Sequence, residues 1–131
     1  MEIWNNKYHA HSSLPKKNRQ FSLFIGRWQP LHLGHKQLFG QVLDSGGKVC
    51  IAIRDMQPDE KNPYTVTEVY ANIVEEYKQF IQDGRVKVIK IPDIDSVNFG
   101  RSVGYDVIEW IPPAEISEIS ATKIRNNDRT T

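Results

Sequence analysis

Between Phe24 and Phe39 the chain reads FIGRWQPLHLGHKQLF, and the types and spacing of its polar residues suit a phosphate. His32 and His35 stand three apart, which turns both imidazoles to one side where a helix begins. The first amides of a helix have no intrahelical partner and the helix dipole adds partial positive charge, so such a start attracts anions. Gly34 removes a side chain between the histidines and lets a ligand approach the backbone. Gly26 and Pro30 shape the preceding turn, Arg27 and Lys36 add charge, and Gln29 completes the cradle. Trp28 is a candidate surface for stacking a base, with a core-facing indole as the alternative. The bland reading of the pair is a helix start with one histidine exposed and one packed, since a neutral imidazole there needs no ligand. The HEXXH spacing of zinc hydrolases is absent, and no residue set is assigned to a metal.

A second cluster of the same chemistry lies in ISATKIR, where Ser120 and Thr122 fall at an expected helix start, followed by Lys123 and Arg125. Hydroxyls and free amides bind phosphate oxygens, and arginine adds a planar fork of charged donors. Alone, this is a serine cap with exposed basic residues; paired with the histidines, it makes two phosphate-type helix starts near opposite ends of one chain. Arg54, after an expected strand, and Arg101, in the glycine-bounded loop FGRSVGYD, are candidate substrate contacts. Asp93 and Asp95 read as a solvated turn.

These residues need elements to position them. FSLFIG (21–26) reads as a strand buried on both faces, and Leu38, Phe39, Val42 and Leu43 repeat at helical spacing until Gly46 and Gly47. KVCIAI (48–53) is a second strand. Thr65 and Glu68 form a capping-box pattern with Tyr64 and Val69 at the staple positions, and one helix is expected through Ile81, stopped by Gly84. VKVIKI (86–91) and YDVIEWI (105–111) are a third and a fourth strand. Strands alternating with helices imply an α/β fold: a single Rossmann-like domain with a mostly parallel sheet and helices on both faces. In such sheets ligands bind beyond the carboxyl ends of the strands. Residues 1–20 are expected to be a polar, poorly ordered arm, in which His9 and His11 lack the further ligands of a zinc site, and residues 21–131 the α/β domain.

At 131 residues and 15.1 kDa the chain suits one domain, and 39% hydrophobic with 25% charged residues suits an ordinary globular one. A formal net charge of +1 and the lack of an aromatic-basic stripe argue against specific nucleic-acid binding. No apolar run reaches the ~20 residues of a membrane span, and no signal-like apolar centre precedes residue 21, so a cytoplasmic setting without membrane contact is expected. Cys50, a lone cysteine in an apolar run, fits a reducing compartment and a core position.

GRWQPLHLGH resembles the HxGH motif of the nucleotidyltransferase superfamily, and ISATKIR resembles its later ISxTxIR motif. The two bracket residues 21–125, most of the chain. The length resembles the small cytidylyltransferases, while the GRWQP lead-in and NPYTVTE (62–68) look more like the nicotinamide-mononucleotide adenylyltransferase branch. The resemblance implies transfer of a nucleoside monophosphate from a nucleoside triphosphate, ATP favoured over CTP, to a phosphorylated small-molecule acceptor, with release of pyrophosphate and no covalent enzyme intermediate. It also implies Mg²⁺ bound with the triphosphate and a homo-oligomer. By the family pattern His32 and His35 stabilise charge on the α-phosphate and leaving pyrophosphate, and Ser120, Thr122 and Arg125 hold the β- and γ-phosphates. One departure is Val69, where the adenylyltransferase branch commonly has an arginine. With the short run after Arg125, it motivates a second reading: a catalytically reduced nucleotide-binding module acting as a sensor or assembly subunit.

Overall fold

The computed structural model describes residues 4–12, 20–100 and 104–113. Its elements run β1 (Asn5–Ala10), β2 (Phe21–Gly26), α1 (Leu33–Asp44), β3 (Lys48–Asp55), α2 (Val66–Glu76), α3 (Lys78–Gln82), β4 (Val86–Pro92) and β5 (Val107–Ile111). β2, β3 and β4 lie side by side in that order, all parallel, with Phe24 opposite Ile51 and Ile51 opposite Val88. Each parallel step needs a crossover, and α1 and then α2 with α3 supply them. The expected α/β architecture with a parallel sheet is therefore present.

The core lies between this sheet and its helices. Val49, Ile51 and Ile53 of β3 point to one face and are at most 1% exposed. They join Phe39 of α1 and Val69 and Ile73 of α2 in one cluster. Phe39 meets Phe24 at 5.1 Å and Tyr77 at 6.0 Å between ring centroids, which ties sheet, α1 and the end of α2 together on that face. The opposite face is open among the described residues: Phe21 is 43% and Leu23 57% exposed. The sequence reading of β2 as buried on both faces is thus corrected for its first half among the described residues, because alternate residues of a strand face opposite sides and the described helices pack on the other side. Cys50 shares the open face with Leu23 and is half-buried rather than in the core; burial still pushes its thiol above its ordinary range.

Helix boundaries follow local chemistry. Thr65 Oγ1 accepts from the Glu68 amide at 3.1 Å while Glu68 Oε1 accepts from the Thr65 amide at 3.2 Å, the reciprocal box expected at the start of α2. Val69 is 2% exposed and packs in the core. The single helix expected from residue 66 onward is instead two segments, because Tyr77 leaves helical geometry at φ −108° and ψ 21°. Its ring turns into the core against Phe39, and burial pushes its hydroxyl up to about 12. Arg85, before β4, donates to the carbonyls of Leu43 and Gly47, fixing the turn after α1.

The fourth expected strand forms, but β5 pairs antiparallel with β1 in a separate two-stranded sheet. Within the stretch expected to be a poorly ordered arm, residues 5–10 are therefore a strand. The sequence shows no period there because β1 is almost wholly exposed and its order comes from cross-strand pairing. His9 Nε2 lies 3.0 Å from Glu109 Oε1, and His11 Nδ1 lies 3.3 Å from Asp106 Oδ1. No helix among the described residues is long and apolar enough to cross a membrane.

Phe39 is the ring that the sheet and both helices share, and it is fully buried. Phe39→Ala is expected to lower the free energy of unfolding by about 3–5 kcal/mol, the cost of emptying such a site. Urea titration followed by far-ultraviolet circular dichroism measures it, and a loss under about 1 kcal/mol would show that the core does not converge on this ring.

Candidate active site at the start of the first crossover helix

The carboxyl ends of β2, β3 and β4 lead into the loops 27–32, 56–65 and 93–100, and the candidate residues of the described chain sit on these loops, at strand ends or in the first turn of α1. His32 is the N-cap of α1, in extended conformation at φ −128°. Its Nδ1 accepts the amide of Gly34 at 3.0 Å, and the Nδ1 of His35 accepts the amide of His32 at 3.2 Å. The HLGH sequence is thus a capping box made of imidazoles, where such boxes ordinarily use a hydroxyl and a carboxylate. Lys36 closes the first helical bond to the His32 carbonyl.

This arrangement decides the chemistry of both rings. A neutral imidazole has one donor and one acceptor nitrogen. Since each Nδ1 is spent as an acceptor, each proton resides on Nε2, and both rings offer an Nε2–H donor. The rings stack at 3.7 Å with planes 18° apart, and the edge of Trp28 meets His35 at 4.9 Å and 89°. Burial lowers the pKa of His32. Burial, with the neighbouring His32 as a second cause, brings that of His35 to about 3. Both histidines are neutral donors near pH 7.

The lead-in loop is anchored at several points. Trp28 is 9% exposed, and its Nε1 donates to the carbonyl of Ala52 at 3.1 Å. Its backbone sits in the left-handed region at φ 53°, a conformation costing about 1–3 kcal/mol for a bulky residue and sustained only where surroundings hold it. Gly26 makes room for this ring: a Cβ there would stand 2.9 Å from Trp28 Cε2. Gly26 and Trp28 therefore build the wall behind His35. An indole with its N–H committed and its ring buried offers no face to a base, which corrects the stacking role considered for Trp28. Gln29 is 6% exposed and grips the backbone of Tyr64 from both sides, Nε2 donating to the carbonyl at 2.8 Å and Oε1 accepting the amide at 3.0 Å. It joins the first loop to the start of α2 instead of facing a ligand.

The cations are also tethered. Arg27 donates to the carbonyl of Gln57 at 3.2 Å and to Asp59 at 3.4 Å. The amide and side chain of Asn62, then Arg27, hold the exposed Asp59 carboxyl below its usual range. Lys36 pairs with Glu76 at 2.9 Å across α1 and α2, both half-exposed. Arg54 donates through Nη2 to Asp93 and to the carbonyl of Ile94, each at 2.8 Å, pinning the loop after β4 to the end of β3. Gly26, Arg27, Trp28, Gln29, His32, Gly34, His35 and Lys36 thus form one segment, with Arg54 near the end of the adjacent strand β3. Arg101, Ser120, Thr122, Lys123 and Arg125 lie outside the described residues. Sequence reasoning missed the Gln29–Tyr64 and Arg27–Gln57 tethers, for which a single chain carries no signal. It also missed the histidine box, although the x–x spacing is that of any capping box.

Comparison with known proteins fits this geometry. A family model described as cytidylyltransferase-like matches residues 23–108, which includes both histidines. A nicotinamide-nucleotide adenylyltransferase of Methanolobus tindarius is 31% identical over 97 residues, 72% of this chain and 53% of that protein. One from Pyrococcus horikoshii is 33% identical over 95 residues, 71% of this chain and 46% of that protein. The chain spans about half the length of the curated relatives it matches.

The histidine pair makes stability depend on pH in a defined direction. The unfolded chain takes the His35 proton near pH 6.5, the folded chain only near pH 3. Between those values the unfolded state binds more protons, so the contribution is complete above pH 6.5 and is lost as pH falls. Unfolding titrations should show a loss on the order of 3 kcal/mol between pH 7 and pH 4, reduced in His35→Asn, which keeps a cap acceptor without the titration. Equal pH profiles for the two proteins would contradict the buried neutral imidazole.

Proposed function

The chain belongs to the cytidylyltransferase-like family, and on that premise we propose that it transfers a nucleoside monophosphate from a nucleoside triphosphate to a phosphorylated small-molecule acceptor, releasing pyrophosphate. A phosphate oxygen of the acceptor attacks the α-phosphorus, the bond from that phosphorus to the α–β bridging oxygen breaks, and its electron pair leaves with pyrophosphate. The observation that carries this reading is the histidine box, with two neutral Nε2–H donors beside the start of a 12-residue helix. Fixed donors aimed where negative charge accumulates are the main resource for such a step, together with alignment of the reactants. A triphosphate at this helix start would take the Nε2–H groups and the first free amides of α1.

ATP is favoured over CTP, supported by the adenylyltransferase names of the archaeal relatives and by the GRWQP lead-in. Ser120, Thr122 and Arg125, with Lys123, are assigned to the β- and γ-phosphates on their match to ISxTxIR. Among the described residues no group of three or more His, Cys, Asp or Glu side chains could cage a metal. Two imidazoles with their Nδ1 atoms engaged do not suit the oxygen-loving Mg²⁺. Mg²⁺ therefore belongs to this reading as part of the magnesium–triphosphate substrate, and no protein-held metal enters a step. A cytoplasmic setting and a homo-oligomer go with the same reading.

Pyrophosphate release, measured with each ribonucleoside triphosphate and Mg²⁺ against nicotinamide mononucleotide, phosphopantetheine, glycerol 3-phosphate and phosphocholine, should find ATP the best donor. His35→Asn should then lower kcat by about 10²–10³, the cost of removing one transition-state donor. Unchanged turnover would remove the imidazole from the mechanism. Triphosphate binding with no pyrophosphate release across a wide acceptor panel would instead favour a nucleotide-binding module. The buried Val69, on the helix that follows NPYT, gives that second reading its structural footing.

A further inference from the structure

Among the described residues Gln29 is the one buried residue with an amide or charged side chain. A buried amide must find partners for its donor and its acceptor, and this one takes both from a single residue. Nε2 donates to the Tyr64 carbonyl at 2.8 Å, and Oε1 accepts the Tyr64 amide at 3.0 Å. Two bonds to one residue's backbone fix the orientation of the contact as well as its distance. A carboxylate in the same place could not make the pair, because it has no hydrogen to give.

This clamp joins two helix starts. Tyr64 precedes Thr65, the N-cap of α2, and Gln29 stands shortly before His32, the N-cap of α1. Its neighbour Trp28 lays a ring edge against His35 at 4.9 Å from a left-handed backbone, a conformation that surrounding contacts must sustain. The segment from Trp28 to His32 therefore reaches the histidine box at both ends, and Gln29 is gripped inside it. Arg27 reaches the same loop through longer bonds, 3.2 Å to Gln57 and 3.4 Å to Asp59. The capping bonds run only between residues 32 and 35, so the box forms without help from Gln29. What the clamp governs is where the box stands relative to the loop 56–65.

We propose that Gln29 is a positioning residue for nucleotidyl transfer, its paired bonds to Tyr64 holding the His32 and His35 donors in register with the loop that leads into α2. This rests on the nucleotidyl-transfer reading, which it deepens by naming a residue that reaches the reaction only through others. Triphosphate binding uses the box itself. The transition state needs the box aligned with the rest of the site, and misplacement by about 1 Å costs on the order of 10² in rate. Loss of the clamp is therefore felt in kcat and not in nucleotide affinity.

The test uses the full chain with the best donor and acceptor from the pyrophosphate-release panel. Gln29→Met fills similar space without hydrogen bonds. It should lower kcat by about tenfold to 10², while the affinity for α,β-methylene ATP with Mg²⁺ stays within about threefold. In the His35→Asn background the same substitution should cost under about threefold, because the donor whose placement it disturbs is already gone. Gln29→Glu should be as slow as Gln29→Met at about pH 8 and recover towards wild type at about pH 5.5, each read as a ratio to wild type at that pH. Burial raises the pKa of a carboxyl, and the protonated acid again donates to the Tyr64 carbonyl while accepting the Tyr64 amide. A residue that merely stabilised the fold would show neither this recovery nor the dependence on His35. Gln29→Glu decides the matter if Gln29→Met does not fold. A kcat of Gln29→Met within about twofold of wild type, a nucleotide affinity that falls as far as kcat, or a flat pH ratio for Gln29→Glu would overturn the proposal and leave nucleotidyl transfer standing. Wild-type protein that releases no pyrophosphate from any pair would count against the nucleotidyl-transfer reading, and this role for Gln29 would fall with it.

Discussion

Two imidazoles hold the start of α1, each accepting a backbone amide through Nδ1. An N-cap acceptor must point back at the helix, and that demand fixes where each ring's other nitrogen lies. The cap therefore does two jobs with one set of atoms: it satisfies amides that would otherwise be orphaned, and it fixes both rings as Nε2–H tautomers. A serine–glutamate box would cap the helix equally well and leave no donor to spare. A hydroxyl–carboxylate pair is at work at the start of α2, where Thr65 and Glu68 each accept the other's backbone amide. The two helix starts differ in the groups they leave over: two imidazole Nε2–H donors at α1 and none at α2.

The rest of the molecule can be understood as support for that geometry. Stacking at 3.7 Å keeps the rings together only while they are uncharged, and burial of His35 behind Trp28 maintains that state. Trp28 reaches its place through a left-handed backbone, and Gly26 yields the space its ring occupies. The strain is offset by the indole bond to Ala52 and by packing on Phe39. Gln29 and Arg27 tie the same loop to the chain that precedes α2, and Arg54 ties the loop after β4 to β3. Three loops from three parallel strands are thereby connected by side chains to one another, and a ligand among them would meet a preorganised wall.

Much of this was legible in the sequence, for identifiable reasons. The parallel sheet follows from strands separated by helical spacing, and the start of α2 from a threonine and glutamate three apart, because these depend on neighbours in sequence. The place of the candidate site follows from where α/β sheets bind ligands. What was not legible depends on distant partners. β1 has no periodicity of its own, and it exists through its pairing with residues about a hundred positions away. Leu23 looks like a core residue, yet its exposure depends on which face the crossover helices cover. Tyr77 interrupts an unbroken helical pattern because its ring is drawn to Phe39. Trp28 and Gln29 suggested ligand contacts, but their polar atoms are taken by Ala52 and Tyr64. Both residues serve the architecture of the loop.

The tautomers of His32 and His35 test the central claim most directly. Long-range nitrogen–proton correlation spectra of histidine-labelled protein distinguish a protonated Nε2 from a protonated Nδ1 in each ring. The cap requires both rings to be neutral with the proton on Nε2 at pH 7, and His35 to remain so well below the ordinary histidine pKa, towards about 3. A proton on Nδ1 of either ring at pH 7, or an ordinary titration of His35 near pH 6.5, would break the reciprocal box and remove the donor arrangement on which the account of this site is built.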